Sequence, residues 1–180
     1  VPYYFDLAMD KLQKKYPDAK INRVKTAQGG TGFQWGLQNC ESLVNAYDPD
    51  LVILAFGMND GGMAATQTKA NTKKMIDAMY ELKPEVSVMI VSTMTPHTGS
   101  NWDHTAIQQQ EKQLLSLAKT YVKDGKAVAV ACVHSVSKAV QEHKTFNDYS
   151  GNNINHPNDW FYRVYAQTLL QTLVGYENMK

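Results

Sequence analysis

The ten residues LVILAFGMND, at positions 51–60, decide the fold of this 180-residue chain. Residues 51–56 are apolar at every position, so a strand built from them would be buried on both faces. That pattern is typical of a central strand in a parallel sheet. Similar runs follow at residues 86–93 and 127–133. We therefore predict three adjacent, parallel, buried strands with helices covering both faces of the sheet.

Segments with helical patterning alternate with these strands. The alternation predicts the α/β class, and the absence of a repeat or linker-like tract predicts a single domain over residues 1–180. A further short strand is expected at residues 20–26. The predicted helices cover residues 1–16, 33–46, 66–82, 105–122, 135–143 and 160–174.

Composition excludes several classes of function. Eighteen Lys and Arg against 17 Asp and Glu give a formal charge of +1, and the basic residues are scattered, so we expect no nucleic-acid partner. No apolar run reaches the ~18 residues of a membrane span, so we expect a soluble protein with no membrane partner. The isolated Cys40 and Cys132 signal neither metal nor redox chemistry, so we expect neither metal nor cofactor.

In open parallel sheets, ligands bind beyond the carboxyl ends of the strands. The loop after residues 51–56 carries Asn59, whose side-chain amide could donate to a ligand oxygen. The alternative is a Gly-Asn-Asp turn in which Asp60 caps the next element. The loops expected at this edge are residues 27–32, 57–64, 96–104 and 145–159.

Two further groupings lie in these loops. Gly29 and Gly30 follow the predicted strand at 20–26 and would let a backbone N–H approach a bound group closely, although a plain tight turn explains them equally well. In the sequence NNINHPND, His156 is suited to act as a general base, and Pro157 restricts the backbone beside it. The alternative is an inert loop histidine.

Taken together and in this order, the three groupings resemble the SGNH, or GDSL-type, serine ester hydrolase family. The resemblance implies a flavodoxin-like three-layer α/β/α sandwich. It also implies that Gly30 and Asn59 complete an oxyanion hole and that His156 is the base. Residues Gly57 to Asp60 match the family's Gly-x-Asn-Asp block without departure, and His156 with Pro157 matches its late His-Pro block.

Two departures from the family pattern matter. The Gly-Asp-Ser block that supplies the nucleophile occurs nowhere in the chain, so we expect a cleaved or separate N-terminal piece to carry the serine and the first strand. The compartment is left open, and any signal for secretion or periplasmic export would lie in that piece. Where the family has an acid before the histidine, this chain has Asn153. Either His156 works in a dyad oriented by a backbone or amide group, which we favour, or Asp159 or another carboxylate assists.

The resemblance implies serine-dependent hydrolysis of small acyl esters, such as acetyl groups on a carbohydrate. The present chain alone is expected to be inactive. Trp102, Tyr149 and Trp160 could stack on a sugar at the rim of the site, or could be ordinary core or rim aromatics. A non-catalytic carbohydrate-binding or interaction module is the alternative function. A nucleotide-binding domain is disfavoured because no Gly-rich phosphate loop occurs at the required spacing.

Overall fold

The computed structural model describes residues 3–97, 99 and 104–175. Its sheet contains β1 (Leu51–Leu54), β2 (Ser87–Val91) and β3 (Val128–Ala131). The strands are parallel and lie in the order β1, β2, β3. The prediction of three adjacent parallel strands is therefore confirmed, with each strand shorter than its apolar run.

Helices flank the strands as the periodicity predicts. The short helix α6 was not predicted; Thr145 and Asp148 form a capping box at its start. Within the described ranges, no helix combines the length and apolarity needed to cross a bilayer. The helices are α1 (Tyr4–Lys15), α2 (Phe33–Tyr47), α3 (Ala65–Leu82), α4 (His104–Lys123), α5 (Val133–Gln141), α6 (Phe146–Tyr149) and α7 (Asp159–Val174).

The two faces of the sheet are covered by different helices. Val88 pairs in register with Val52 and Val128, and these three side chains pack against the layer formed by α2, α3 and α4. Because side chains alternate along a strand, Ile53 and Met89 point to the other face, where α1 and α7 cover them. The fold is thus the expected three-layer α/β/α sandwich.

Two predictions about strands are wrong. Of the four residues of β1 only Leu54 is buried, and β1 pairs with β2 alone among the described residues. The strand predicted at residues 20–26 does not form, and this segment is irregular and mostly exposed. A strand needs a neighbour to satisfy its backbone groups, and the described residues place none beside this segment.

Candidate active site

The loop after β1 lies against the turn that precedes α2. Asn59 donates a hydrogen bond from Nδ2 to the carbonyl oxygen of Thr31 at 2.9 Å. Gly30, one residue before Thr31, has a φ of 77°, a conformation that favours glycine. The two predicted oxyanion donors, the backbone N–H of Gly30 and the amide of Asn59, therefore lie in loops that contact each other.

Asp60 caps a helix, but not the one that follows it in the chain. Its Oδ1 accepts a hydrogen bond from the backbone N–H of Phe33, at the start of α2, at 2.9 Å. Gly32, which precedes Phe33 and is the N-cap of α2, has no side chain that could cap the helix. A Cβ at position 32 would overlap with the Asp60 carboxylate. The other carboxylate oxygen, Oδ2, is buried and has no hydrogen-bond partner among the described residues.

The loop that carries His156 lies at the same edge of the sheet. The backbone N–H of His97, in the segment that leaves β2, donates to the carbonyl oxygen of Ile154 at 2.9 Å. β1 and β2 are neighbouring parallel strands, so the loops that follow them share one edge. Asn59 follows β1 and the loop of His156 is bonded to the exit of β2. The structure thus brings both to the carboxyl edge.

Among the described residues, no hydrogen bond or ion pair links Asp159 or Asn153 to the imidazole ring of His156. Asp159 begins α7 and, within the part of the chain that the structure describes, no acidic side chain forms an ion pair with His156. Asn153 has a φ of 56°, and its backbone N–H donates to Ser150 Oγ at 2.8 Å.

The loop is instead organised by Asn152, which was not among the predicted site residues. Asparagine is common in turns because its side chain bonds to the backbone a few residues on, which was the available signal.

The rim role predicted for Tyr149 is wrong. Its side chain is fully buried, with its ring centroid 5.0 Å from those of Phe146 and Phe161. Its hydroxyl accepts a hydrogen bond from Gln141 Nε2 at 2.7 Å, and burial raises its pKa. Tyr149 is a core residue beneath the loop and cannot stack on a sugar in this structure.

Trp160, the second predicted rim aromatic, is partly exposed. It lies in the first turn of α7 and is 41% exposed. The Nζ of Lys144 lies 5.2 Å from the centroid of its ring. The third predicted rim aromatic, Trp102, lies outside the described residues.

Buried hydroxyl groups fix the segment between β2 and His97. The backbone N–H of Met94 donates to the Tyr165 hydroxyl at 3.1 Å, and that of Thr95 donates to Ser137 Oγ at 2.9 Å. Burial raises the pKa of Tyr165 above its ordinary value. These bonds anchor the segment that in turn holds the loop of His156.

The carboxyl edge of the sheet thus carries the side-chain amide of Asn59 and the loops of Gly30 and His156. This set suits the attack of a hydroxyl nucleophile on a carbonyl carbon, because the donors can stabilise the oxyanion that forms. Among the described residues, no group of three or more His, Cys, Asp or Glu side chains is placed to hold a metal ion.

Comparison with known proteins extends these observations. Among solved structures, a family 3 carbohydrate esterase from Talaromyces cellulolyticus has a TM-score of 0.75 at 16% identity, over 96% of this chain and 90% of that chain. A putative GDSL-like lipase from Parabacteroides merdae has a TM-score of 0.80 at 12% identity, over 93% of this chain and 80% of that chain. A catalytic mutant of an acetylxylan esterase from Geobacillus stearothermophilus has a TM-score of 0.75 at 16% identity, over 99% and 84% of the two chains. None of the curated proteins matches the sequence.

At these identities the structural likeness establishes the fold alone. The family model is more informative, because it matches most of the chain and spans the loops of Gly30, Asn59 and His156. The model described as the GDSL-like Lipase/Acylhydrolase family matches residues 4–164, and the chain belongs to this family.

Proposed function

We propose that the complete protein hydrolyses small acyl esters of a carbohydrate, with His156 as the general base. Gly30 and Asn59 stabilise the oxyanion, and a serine on a segment outside residues 1–180 is the nucleophile. The contact between Asn59 and Thr31 carries the proposal, because it joins the two oxyanion loops at the edge where His156 lies. The names of the structural neighbours, which include a carbohydrate esterase and an acetylxylan esterase, support the substrate class.

The proposed reaction proceeds in two stages. The serine Oγ attacks the ester carbonyl carbon while His156 takes the hydroxyl proton, and the negative charge develops on the carbonyl oxygen. The carbon–oxygen bond to the sugar then breaks, and His156 returns the proton to the leaving alcohol. Water repeats the sequence on the acyl-enzyme, releasing the acid and restoring the serine.

The side-chain amide of Asn59 can donate to the Thr31 carbonyl oxygen and to an oxyanion at the same time. Its NH2 group has two N–H donors. One is bonded to the carbonyl oxygen of Thr31, which fixes the plane of the amide. The second remains available for the oxyanion, and a donor held in place before the reaction is worth about 100- to 1,000-fold in rate.

The open outer edge of β1 supports a nucleophile on a separate segment. The outer edge of β1 is unpaired within the described residues, so its backbone groups could bond to an added parallel strand. A segment that pairs with β1 as a parallel strand would place its following turn at the carboxyl edge of the sheet, beside the loop of Asn59.

The exposed ring of Trp160 supports a sugar substrate. Aromatic rings offer an apolar face that fits the apolar face of a sugar, and Trp160, which follows the loop of His156 in the sequence, is 41% exposed. The alternative of a non-catalytic carbohydrate-binding module is favoured by one observation, the absence of Gly-Asp-Ser from the chain. The activity of the complete protein decides between the two.

The first test compares p-nitrophenyl acetate hydrolysis by residues 1–180 and by the complete protein. We expect slight turnover by residues 1–180 and full turnover once the additional segment is present, either fused or added as a peptide. Full activity in residues 1–180 would place the nucleophile elsewhere. No activity in the complete protein would favour the binding module.

The second test uses variants of the complete protein. We expect His156→Ala to reduce kcat by several orders of magnitude and Asn59→Ala to reduce it by about 100- to 1,000-fold. Asn153→Ala should cost less than either. Asn45→Ala, at an exposed position in α2, is the matched control and should leave kcat unchanged. An unaffected His156→Ala variant would exclude His156 as the base.

A further inference from the structure

The side chain of Asn152 binds three successive backbone N–H groups. Its Oδ1 accepts hydrogen bonds from Ile154 at 3.0 Å, Asn155 at 3.0 Å and His156 at 2.9 Å. Its Nδ2 donates to Asn155 Oδ1 at 3.1 Å. One amide group therefore draws the backbone of residues 154–156 into a tight turn that ends at His156.

A second set of bonds closes the loop from the other side. The carbonyl oxygen of His156 accepts from the backbone N–H of Gly151 at 2.7 Å and from Ser150 Oγ at 3.3 Å. Ser150 and Pro157 also form an antiparallel bridge. All these bonds involve the backbone on either side of the His156 side chain, and none involves its ring.

The glycine and asparagine positions in the loop are consistent with this closure. A Cβ on Gly151 would lie 3.0 Å from the carbonyl oxygen of Pro157, so a side chain there would push the two ends apart. Asn153 adopts a left-handed φ of 56°, which asparagine tolerates better than most residues. Asn152 is not among the described residues with positive φ, so replacing it removes side-chain bonds without straining the backbone.

We infer that Asn152 is a positioning residue for the catalytic base. It acts through the backbone of His156, whereas a carboxylate partner would act through the imidazole ring. The inference rests on the proposed function. Its physical basis is that a displacement of about 1 Å in a catalytic group can cost about 100-fold in rate.

The test uses three variants of the complete protein. Asn152→Ala removes the acceptor for the three N–H groups. Asn152→Asp loses the Nδ2 bond to Asn155 Oδ1 but keeps an oxygen acceptor at the same place, and a carboxylate binds N–H groups at least as strongly as an amide does. Asn147→Ala, at an exposed position in α6, is the matched control, because no hydrogen bond of its side chain is found among the described residues.

The first measurement is amide hydrogen exchange at residues 154–156, followed by NMR. We expect exchange to become about tenfold faster in Asn152→Ala, the change that corresponds to the loss of one net hydrogen bond. Exchange should stay close to that of the unsubstituted protein in Asn152→Asp and Asn147→Ala. Unchanged exchange in Asn152→Ala would overturn the inference.

The second measurement is the steady-state kinetics of p-nitrophenyl acetate hydrolysis, with kcat expressed per folded active site. We expect Asn152→Ala to lower kcat by about 10- to 100-fold with little change in KM, because the base is misplaced while the substrate contacts remain. Asn152→Asp should recover most of kcat. A role confined to loop stability would change the folded fraction and leave kcat per folded site unchanged.

The outcomes separate the inference from the proposed function. Normal kcat in Asn152→Ala, in a protein that is otherwise active, would overturn the role of Asn152 alone. A complete protein that does not hydrolyse esters at all would overturn the proposed function, and with it any catalytic role for Asn152. Parallel changes in exchange and kcat, both reversed by Asn152→Asp, are the expected result.

Discussion

Asp60 caps the helix that begins after Gly32, and the absence of a side chain at Gly32 leaves room for the Asp60 carboxylate. Asp60 accepts a hydrogen bond from the first N–H of α2, which Gly32 as N-cap cannot bind. Gly32 in turn leaves the space that the carboxylate occupies. Its φ of −121° and ψ of −163° are accessible to any residue, so glycine is required there by the contact and not by the backbone.

This pairing predicts a non-additive effect on stability. Gly32→Ala should lower the free energy of unfolding by about 1–3 kcal/mol through the clash with Asp60, and Asp60→Ala should lower it by about 1–2 kcal/mol through loss of the cap. In the Asp60→Ala background the clash is absent, so Gly32→Ala should cost close to nothing. Urea unfolding of the two single variants and the double variant measures the coupling. Additive costs would show that the two residues act independently.

The helix α5 is capped by residues of other elements. Its N-cap, Cys132, makes no side-chain cap bond. The backbone N–H of His134 instead donates to Ser92 Oγ at 3.1 Å, and that of Ser135 donates to Glu111 Oε2 at 3.3 Å. Ser92 Oγ also donates to Glu111 Oε2 at 2.6 Å. The carboxylate of Glu111 therefore joins the exit of β2, α4 and the start of α5.

Two substitutions of Glu111 should lower the free energy of unfolding by different amounts. Glu111 is only 4% exposed, so Glu111→Ala leaves several buried donors unpaired and should cost about 3 kcal/mol or more. Glu111→Gln keeps one acceptor but loses the charge near the helix N-terminus, and should cost about 1–2 kcal/mol. Guanidinium unfolding measures both variants. Glu81→Gln, at an exposed position in α3, should change stability by less than about 0.5 kcal/mol. Equal effects at positions 81 and 111 would exclude a capping role for Glu111.

At the scale of the whole molecule, the strands of the sheet differ in how many neighbouring strands they pair with. β2 pairs on both sides, whereas β1 and β3 each pair on one side only among the described residues. Three of the four residues of β1 are only half-buried. An open edge with apolar residues on both faces is a site where another strand can add.

The proposed additional segment should therefore stabilise β1 more than the rest of the sheet. In residues 1–180, we expect the amides of β1 to exchange faster than those of β2, because one ladder is missing. In the complete protein the exchange of β1 should slow by at least about tenfold, and the urea midpoint should rise. Exchange is measured at two protein concentrations, so that pairing of β1 between two copies is recognised by its concentration dependence. Equal protection of β1 with and without the segment would contradict the added strand.

Several features of the fold follow from local pattern in the sequence. The apolar runs at residues 51–56, 86–93 and 127–133 lack a continuous polar face, a pattern typical of strands covered on both sides. Parallel strands carry their exit loops to one edge, and this topology predicts that Asn59 and the loop of His156 lie near each other. Periodicity and strand direction are properties of short segments, which is why they could be deduced without coordinates.

Other features depend on which distant residues meet, and only the tertiary structure decided them. Residues 20–26 have a strand-like sequence but lack a neighbouring ladder among the described residues, so they remain irregular. Tyr149 lies in a polar stretch of sequence, yet its ring is enclosed by Phe146 and Phe161. Asn152 and Asn153 are chemically identical, and the path of the loop alone makes Asn152 the acceptor for the His156 backbone. Composition and spacing specify which groups are available, but hydrogen-bond partners and burial depend on contacts that form only when the chain has folded.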